Sequence, residues 1–246
     1  MADGLRIWRH PRRDESYVWG GDVAQGLEHG DNSVLEVLCL DDGFQVAEYQ
    51  GKMEPAELGE LAYMLGQYYN WAFGCFENNA DLTPQTVCAQ QLKYPHYYYQ
   101  QTIGTDGNPD TRKYGWNTNL RTRYIMINDM RQMLGDGSIR IRSLYLLDEM
   151  EIFARSPRGR YEAISGGHDD LVMAFAIAVQ MLQHALLVQA DDQESLAPLV
   201  NGVPVRPGID DVDEPLNPPT REARIAEAIQ QREAEPTYVS TYGSLL

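Results

Sequence analysis

The chain of 246 residues is short of cysteine, of positive charge and of long apolar runs. Its three cysteines, Cys39, Cys75 and Cys88, make no C-x-x-C pair and no zinc-finger spacing. That excludes a disulfide framework and points to a reducing compartment. The longest uninterrupted apolar run, Leu171 to Val179, falls well short of the ~20 residues a membrane span needs. The opening Met-Ala-Asp-Gly-Leu-Arg has no apolar h-region, so no secretory signal is read there. A soluble, intracellular chain without a membrane partner is expected. No G-x-x-x-x-G-K-S/T segment occurs, and the Gly20-to-Gly26 stretch lacks the lysine, so no nucleotide-phosphate loop is present. Positive charge is scarcest: 20 Lys+Arg stand against 36 Asp+Glu, a net of −16. Taken alone, that balance argues against a nucleic-acid partner, because phosphate binding comes mainly from Lys and Arg.

What is present is ordinary for a globular domain, with 43% hydrophobic and 10% aromatic residues. Composition shifts near residue 190. Residues 191–246 carry eleven acids against four arginines, a net of −7, with seven of the 13 prolines. They read as an acidic, Pro-rich, partly disordered tail with one short helical piece, Thr220 to Glu233. Residues 1–190 form the folded domain. There Tyr17–Ala24 reads as a strand, and Asn32–Leu40 and Phe44–Gln50 as a hairpin around Asp41-Asp42-Gly43. Pro55–Tyr69 is helical, Ala72–Glu77 a short buried strand, and Thr83–Leu92 a helix capped by Thr83. Tyr94–Ile103 is extended and aromatic, with turn residues over Gly104–Asp110. Thr118–Leu134 is a helix, Ser138–Arg142 a strand, Leu144–Phe153 a helix and Tyr161–Ile164 extended. Gly166-Gly167 is a hinge before the apolar helix Asp169–Ala190. Hairpin strands followed by alternating strands and helices predict an α/β fold, a mixed sheet with helices on its faces.

The informative acids sit at element ends. Asp22 lies within an apolar strand, where a lone carboxylate is costly unless it is paired or metal-bound. Glu77 ends another strand, at the edge where α/β sheets place ligands. Asp169 and Asp170 open the apolar helix. Each has a plain structural reading: a helix cap and first-turn acid, a surface strand end, a structural strand acid. Together they form a like-charge cluster that a cation would relieve. Oxygen-only donors suit Mg²⁺ or Mn²⁺. Two such ions ~3.5–4 Å apart clamp the attacking and leaving oxygens of a phosphodiester displacement.

Six segments, in order, resemble the nuclease domain of the phage large terminase subunit, an RNase H-like fold. They are Tyr17–Gly26, Gln45–Glu48, Phe76–Asn79, Tyr94-Pro95 with the tyrosines that follow, Gly115–Asn119 through Arg123, and Gly167–Ala174. The resemblance implies that Asp22, Glu77 and Asp169 hold two divalent metal ions, with Asp170 as an accessory carboxylate, and it does not separate Asp169 from Asp170. Asp31 and His168 would lie nearby. It implies an endonuclease acting on double-stranded DNA in the cytoplasm of an infected bacterial host, with portal and small terminase subunit as partners. The ATPase domain of such enzymes is missing from this chain, since the loop it needs does not occur. Two rivals stay open: another RNase H-like nuclease, such as a junction resolvase or hybrid ribonuclease, and a non-catalytic docking module for portal or small subunit.

Sorted by position, charge tells a different story from its total. Thr111 to Arg142 holds Arg112, Lys113, Arg121, Arg123, Arg131, Arg140 and Arg142 against Asp129 and Asp136, a local net of +5. Arg112, Lys113, Trp116, Arg121 and Arg123 are the expected DNA contacts, on a solvated helix face or a DNA-facing one.

Overall fold

A computed structural model of the chain describes residues 4–24, 32–79, 81–103, 109–156, 159–163 and 167–194. Asp31, the loop tip 104–108, Ile164, Gly166 and the tail from 195 onward, with its expected helix Thr220 to Glu233, lie outside the described residues.

The central sheet is built from β1 (Gly4–Ile7), β2 (Tyr17–Asp22), β3 (Ser33–Cys39), β4 (Gln45–Gly51) and β5 (Phe73–Phe76), in the spatial order β1-β4-β3-β2-β5. β3 pairs antiparallel with both β2 and β4. Its hairpin with β4 turns at Gly43, whose φ of +68° is the left-handed conformation that glycine adopts without strain. Helix α1 (Pro55–Tyr68) begins with proline at its first position and buries Leu58, Ala62 and Leu65 at helical spacing. This crossover lets β5 lie parallel to β2, with Gly21 opposite Phe76.

Past β5 the chain departs from expectation in several places. Helix α2 (Thr83–Gln85) runs directly into a π-helix over Thr86–Gln91. The side-chain acceptor at its start is Asp81, which accepts from the Thr83 amide at 2.8 Å, rather than Thr83 itself. The extended aromatic stretch divides in two. Its first part covers the open edge of β5, where the Tyr98 amide donates to the Gly74 carbonyl at 2.9 Å. The remainder is β6 (Tyr99–Ile103), paired antiparallel with β7 (Pro109–Tyr114). Just after β7, the Trp116 amide donates to the Phe76 carbonyl at 2.9 Å, closing the rest of that edge.

Helix α3 (Leu120–Gly135) starts two residues later than expected because Asn119 is its cap. The Asn119 carboxamide oxygen accepts from the amides of Arg121 and Thr122, and the Thr122 hydroxyl accepts from the Asn119 amide. Ser138–Arg142 forms no strand. It makes a single bridge, Arg140 with Phe44, and the amides of Arg142 and Ser143 donate to the Gln45 side chain in place of a ladder. Helix α4 (Leu144–Ile152) stops one residue early, and Phe153 starts a strand instead: β8 (Phe153–Arg155) pairs with β9 (Tyr161–Ala163).

The last element, α5 (Asp170–Glu194), is buried at every residue from Leu171 to Leu182 and continues past residue 190, where the composition changes. Its Asp170–Leu187 window has a mean hydropathy of 1.6, long and apolar enough for a membrane span by composition. Here 72% of that window is buried inside the domain, so its apolar surface is met by the sheet. Contact is closest at Gly20, where a Cβ would lie 2.3 Å from the Ala178 amide nitrogen and 2.5 Å from the Ala174 carbonyl oxygen. On the other face of β2, Trp19 packs edge-on against Phe76, Tyr94 and Tyr97.

Candidate metal centre

Strand alternation decides where Asp22 points. Gly20 faces α5, so Asp22, two residues on, lies on that same face at the C-terminal end of β2. Two strand residues advance about 6.6 Å. From Ala174 back to Asp170 is four helical residues, about 6 Å. Helix and strand run in opposite directions, so the start of α5 arrives beside Asp22. The parallel register does the same for Glu77: it follows Phe76, the partner of Gly21, and its amide donates to the Gly21 carbonyl at 2.9 Å.

The three segments meet in one cleft of about 880 Å³, lined by Asp22, Glu77, Asp169 and Asp170 together with Asn79, Thr118, Arg123 and Arg160. The Asp22 carboxyl is held well above the usual carboxylate range. Burial is the main cause, followed by the charges of Glu77 and Asp170 and a hydrogen bond with Glu77; the Val23 amide, donating at 2.9 Å, opposes them. Glu77 is held in turn by Asn79, whose side-chain amide donates to Glu77 Oε1 at 3.2 Å.

The two neighbouring aspartates differ. Asp170 is buried; its Oδ2 accepts from the Asn32 amide at 3.1 Å and lies 3.9 Å from His168 Nδ1. Asp169 is bound by the Arg123 guanidinium, which also donates through Nε to the Tyr161 carbonyl at 2.7 Å. Glu149 of α4, which the sequence reading passed over, lies behind them. Its Oε2 accepts from the amides of Leu171 at 2.9 Å and Val172 at 3.4 Å. Burial, then the Asp170 charge, pushes its pKa up to about 7. Arg160 and Glu149 carried no motif of their own, and Asn79, although inside the Phe76–Asn79 segment, was not singled out as a partner of Glu77.

The expected DNA contacts separate on inspection. Lys113 on β7 and Arg121 on α3 are exposed; Arg112 lies on β7, with its side chain outside the description. Arg123 is buried in the cleft wall and engaged by Asp169. Trp116 differs from expectation: it is 7% exposed and packs against Tyr98 and His184, so its ring supports the sheet edge instead of offering a face to a ligand.

Among the described residues, three potential ligand atoms lie within 4.8 Å of one another only at Glu15, Cys39 and Asp42. That trio already has its cation. Arg9 bonds Asp42 at 2.6 and 3.1 Å, lowering its pKa to about 2, and lies 3.5 Å from Glu15. Burial pushes the Cys39 thiol up to about 12, away from the thiolate a metal needs. The Asp22 cluster is more open, but its donors are all carboxylate oxygens, and the charge of Asp22 is disfavoured as it stands. Those residues fit a hard divalent cation.

No protein-family model and no curated protein sequence matches the chain. Solved structures do. The large terminase nuclease of thermophilic phage G20c with bound magnesium superposes with a TM-score of 0.56 at 19% identity, covering 73% of this chain and 88% of that one. The same nuclease with bound cobalt gives 0.55 at 19% identity and the same coverage. The large terminase nuclease domain of Thermus phage P74-26 gives 0.52 at 20% identity, over 71% and 84%. The fold is that of the large terminase nucleases. The five-stranded mixed sheet flanked by helices matches those nuclease domains at the level of the fold.

Proposed function

We propose that this chain is the metal-dependent endonuclease domain of a viral DNA-packaging terminase, hydrolysing double-stranded DNA with little sequence preference. The observation that carries the reading is the convergence of Asp22, Glu77 and Asp170 in one cleft from β2, the end of β5 and the start of α5. Those three residues hold two divalent ions, Mg²⁺ or Mn²⁺. Bound there, such ions supply activation of a water and neutralisation of the leaving 3′-oxygen.

The chain's own residues do the rest. Asp170 serves as the ligand from α5, because Asp169 is already neutralised by Arg123. Arg123, anchored on the Tyr161 carbonyl, holds Asp169 in the cleft wall. Asn79 holds one oxygen of Glu77 and leaves the other for the metal. Lys113 and Arg121 supply phosphate contacts outside the cleft. The likeness to terminase nucleases supports a packaging complex in the host cytoplasm as the setting, with portal and small terminase subunit as partners.

A plasmid-nicking assay in Mn²⁺ tests the reading. Asp22→Asn is expected to fall to background while its circular dichroism stays that of the wild type. Undiminished nicking by that variant would remove Asp22, and with it the metal centre, from the account.

A further inference from the structure

An aspartate at the start of a helix normally folds its carboxylate onto the amides two and three residues ahead. Asp169 occupies that place: its carbonyl accepts the first bond of α5, from the Met173 amide at 2.9 Å. Its carboxylate is elsewhere, on Arg123. Asp170 also turns away, toward the Asn32 amide at 3.1 Å. The amides that Asp169 would cap, those of Leu171 and Val172, are taken instead by Glu149 from α4, at 2.9 and 3.4 Å through one oxygen. Leu171 and Val172 are fully buried, so their amides cannot turn to water if that acceptor is lost.

We infer that Glu149 is a positioning residue, which caps α5 from a neighbouring helix and so keeps the Asp169 and Asp170 carboxylates turned into the cleft. Buried amides must be satisfied, and the nearest substitute acceptor is Asp169, two and three residues before them. Without Glu149, Asp169 leaves Arg123 and folds back onto α5. The freed guanidinium then faces Asp170 and competes with a cation for it. The role asks for an acceptor oxygen in that place, which glutamine also provides. The inference rests on the metal-centre reading for its consequence, and on the capping geometry for its cause.

The test uses the full chain and Mn²⁺ alone, in three variants. Glu149→Ala is expected to bind Mn²⁺ at least tenfold more weakly than wild type by calorimetric titration, and Glu149→Gln within threefold. Ala62→Gly, a destabilising change in α1 remote from the cleft, is expected to leave the affinity unchanged, which separates positioning from general loss of stability. A metal-free crystal structure of Glu149→Ala is expected to have the Asp169 carboxylate on the Leu171 and Val172 amides. Wild-type affinity in Glu149→Ala with Asp169 still on Arg123 would overturn the inference. So would equal losses in the alanine and glutamine variants. If the wild-type chain took up no Mn²⁺, the metal-centre reading would fall, and the position of Asp169 in Glu149→Ala would still decide the capping claim.

Discussion

Two adjacent aspartates with the same chemistry have been given different work by their neighbours. Asp169 faces Arg123; Asp170 faces Asp22 and is among the charges that raise its pKa. Mn²⁺ titration of two single variants checks the division: Asp170→Asn is expected to lose measurable binding, and Asp169→Asn to weaken it by about 10- to 100-fold, the range typical of a residue that orients rather than ligates. The reverse ranking would make Asp169 the ligand. The acids themselves were legible in the sequence, because a carboxylate inside an apolar strand or at a strand end is costly and therefore conspicuous. Which of the two neighbours pairs with Arg123 was not, since helix phase and the position of Arg123 are tertiary facts. Glu149 was invisible for the same reason. It sits between Asp148 and Glu151 in a short helix, and its partners are backbone amides 22 and 23 residues away.

Elements, more than single residues, make the site: a parallel strand pair and a helix crossing one of them at Gly20. Gly20→Ala places a methyl against the backbone of α5, which cannot move aside as a side chain tip would. It is expected to cost about 3 kcal/mol or more, read as a lowered thermal midpoint, with metal binding lost as α5 lifts from β2. The same sheet buries two facing acids, Glu36 on β3 and Glu48 on β4, at adjoining positions. Glu48 pairs with Arg6 at 2.5 Å, while Glu36 is pushed well above its ordinary value by burial and then by the Glu48 charge, against the Gln45 amide that donates to it at 2.7 Å. An acid whose pKa is raised by folding favours the fold below its unfolded pKa of about 4.5 and loses that favour as pH rises. Glu36→Gln is therefore expected to melt several degrees above wild type at pH 8, with the advantage vanishing toward pH 4.5. A constant difference across that range would show that Glu36 is not titrating. Long elements with clear periodicity, such as α1 and α5, were readable beforehand. The three-residue strand β8 was not, because α4 carries the same apolar pattern up to its boundary; its partner β9 falls within the expected extended stretch Tyr161–Ile164. The π-helix after α2 was equally hidden, since it shares the residue preferences of an α-helix.

For the whole molecule the charge total, −16, hides how charge is distributed along the chain. It includes a tail of −7, a carboxylate cluster that metal would offset, and a stretch of +5 between Thr111 and Arg142. Within that stretch Arg123 is engaged by Asp169, while Lys113, Arg121, Arg131, Arg140 and Arg142 are exposed. Three or four phosphate contacts imply an affinity that weakens about 40- to 150-fold between 50 and 200 mM salt, which fluorescence anisotropy on a short duplex would measure. Tight binding indifferent to salt would contradict this distribution of charge. The central claim is that carboxylates from β2, β5 and α5 share divalent ions, and its most direct test is a crystal of this chain soaked in Mn²⁺ and read by anomalous scattering. Two peaks in contact with Asp22, Glu77 and Asp170 are the predicted result; an empty cleft, with manganese absent or bound elsewhere, would contradict it.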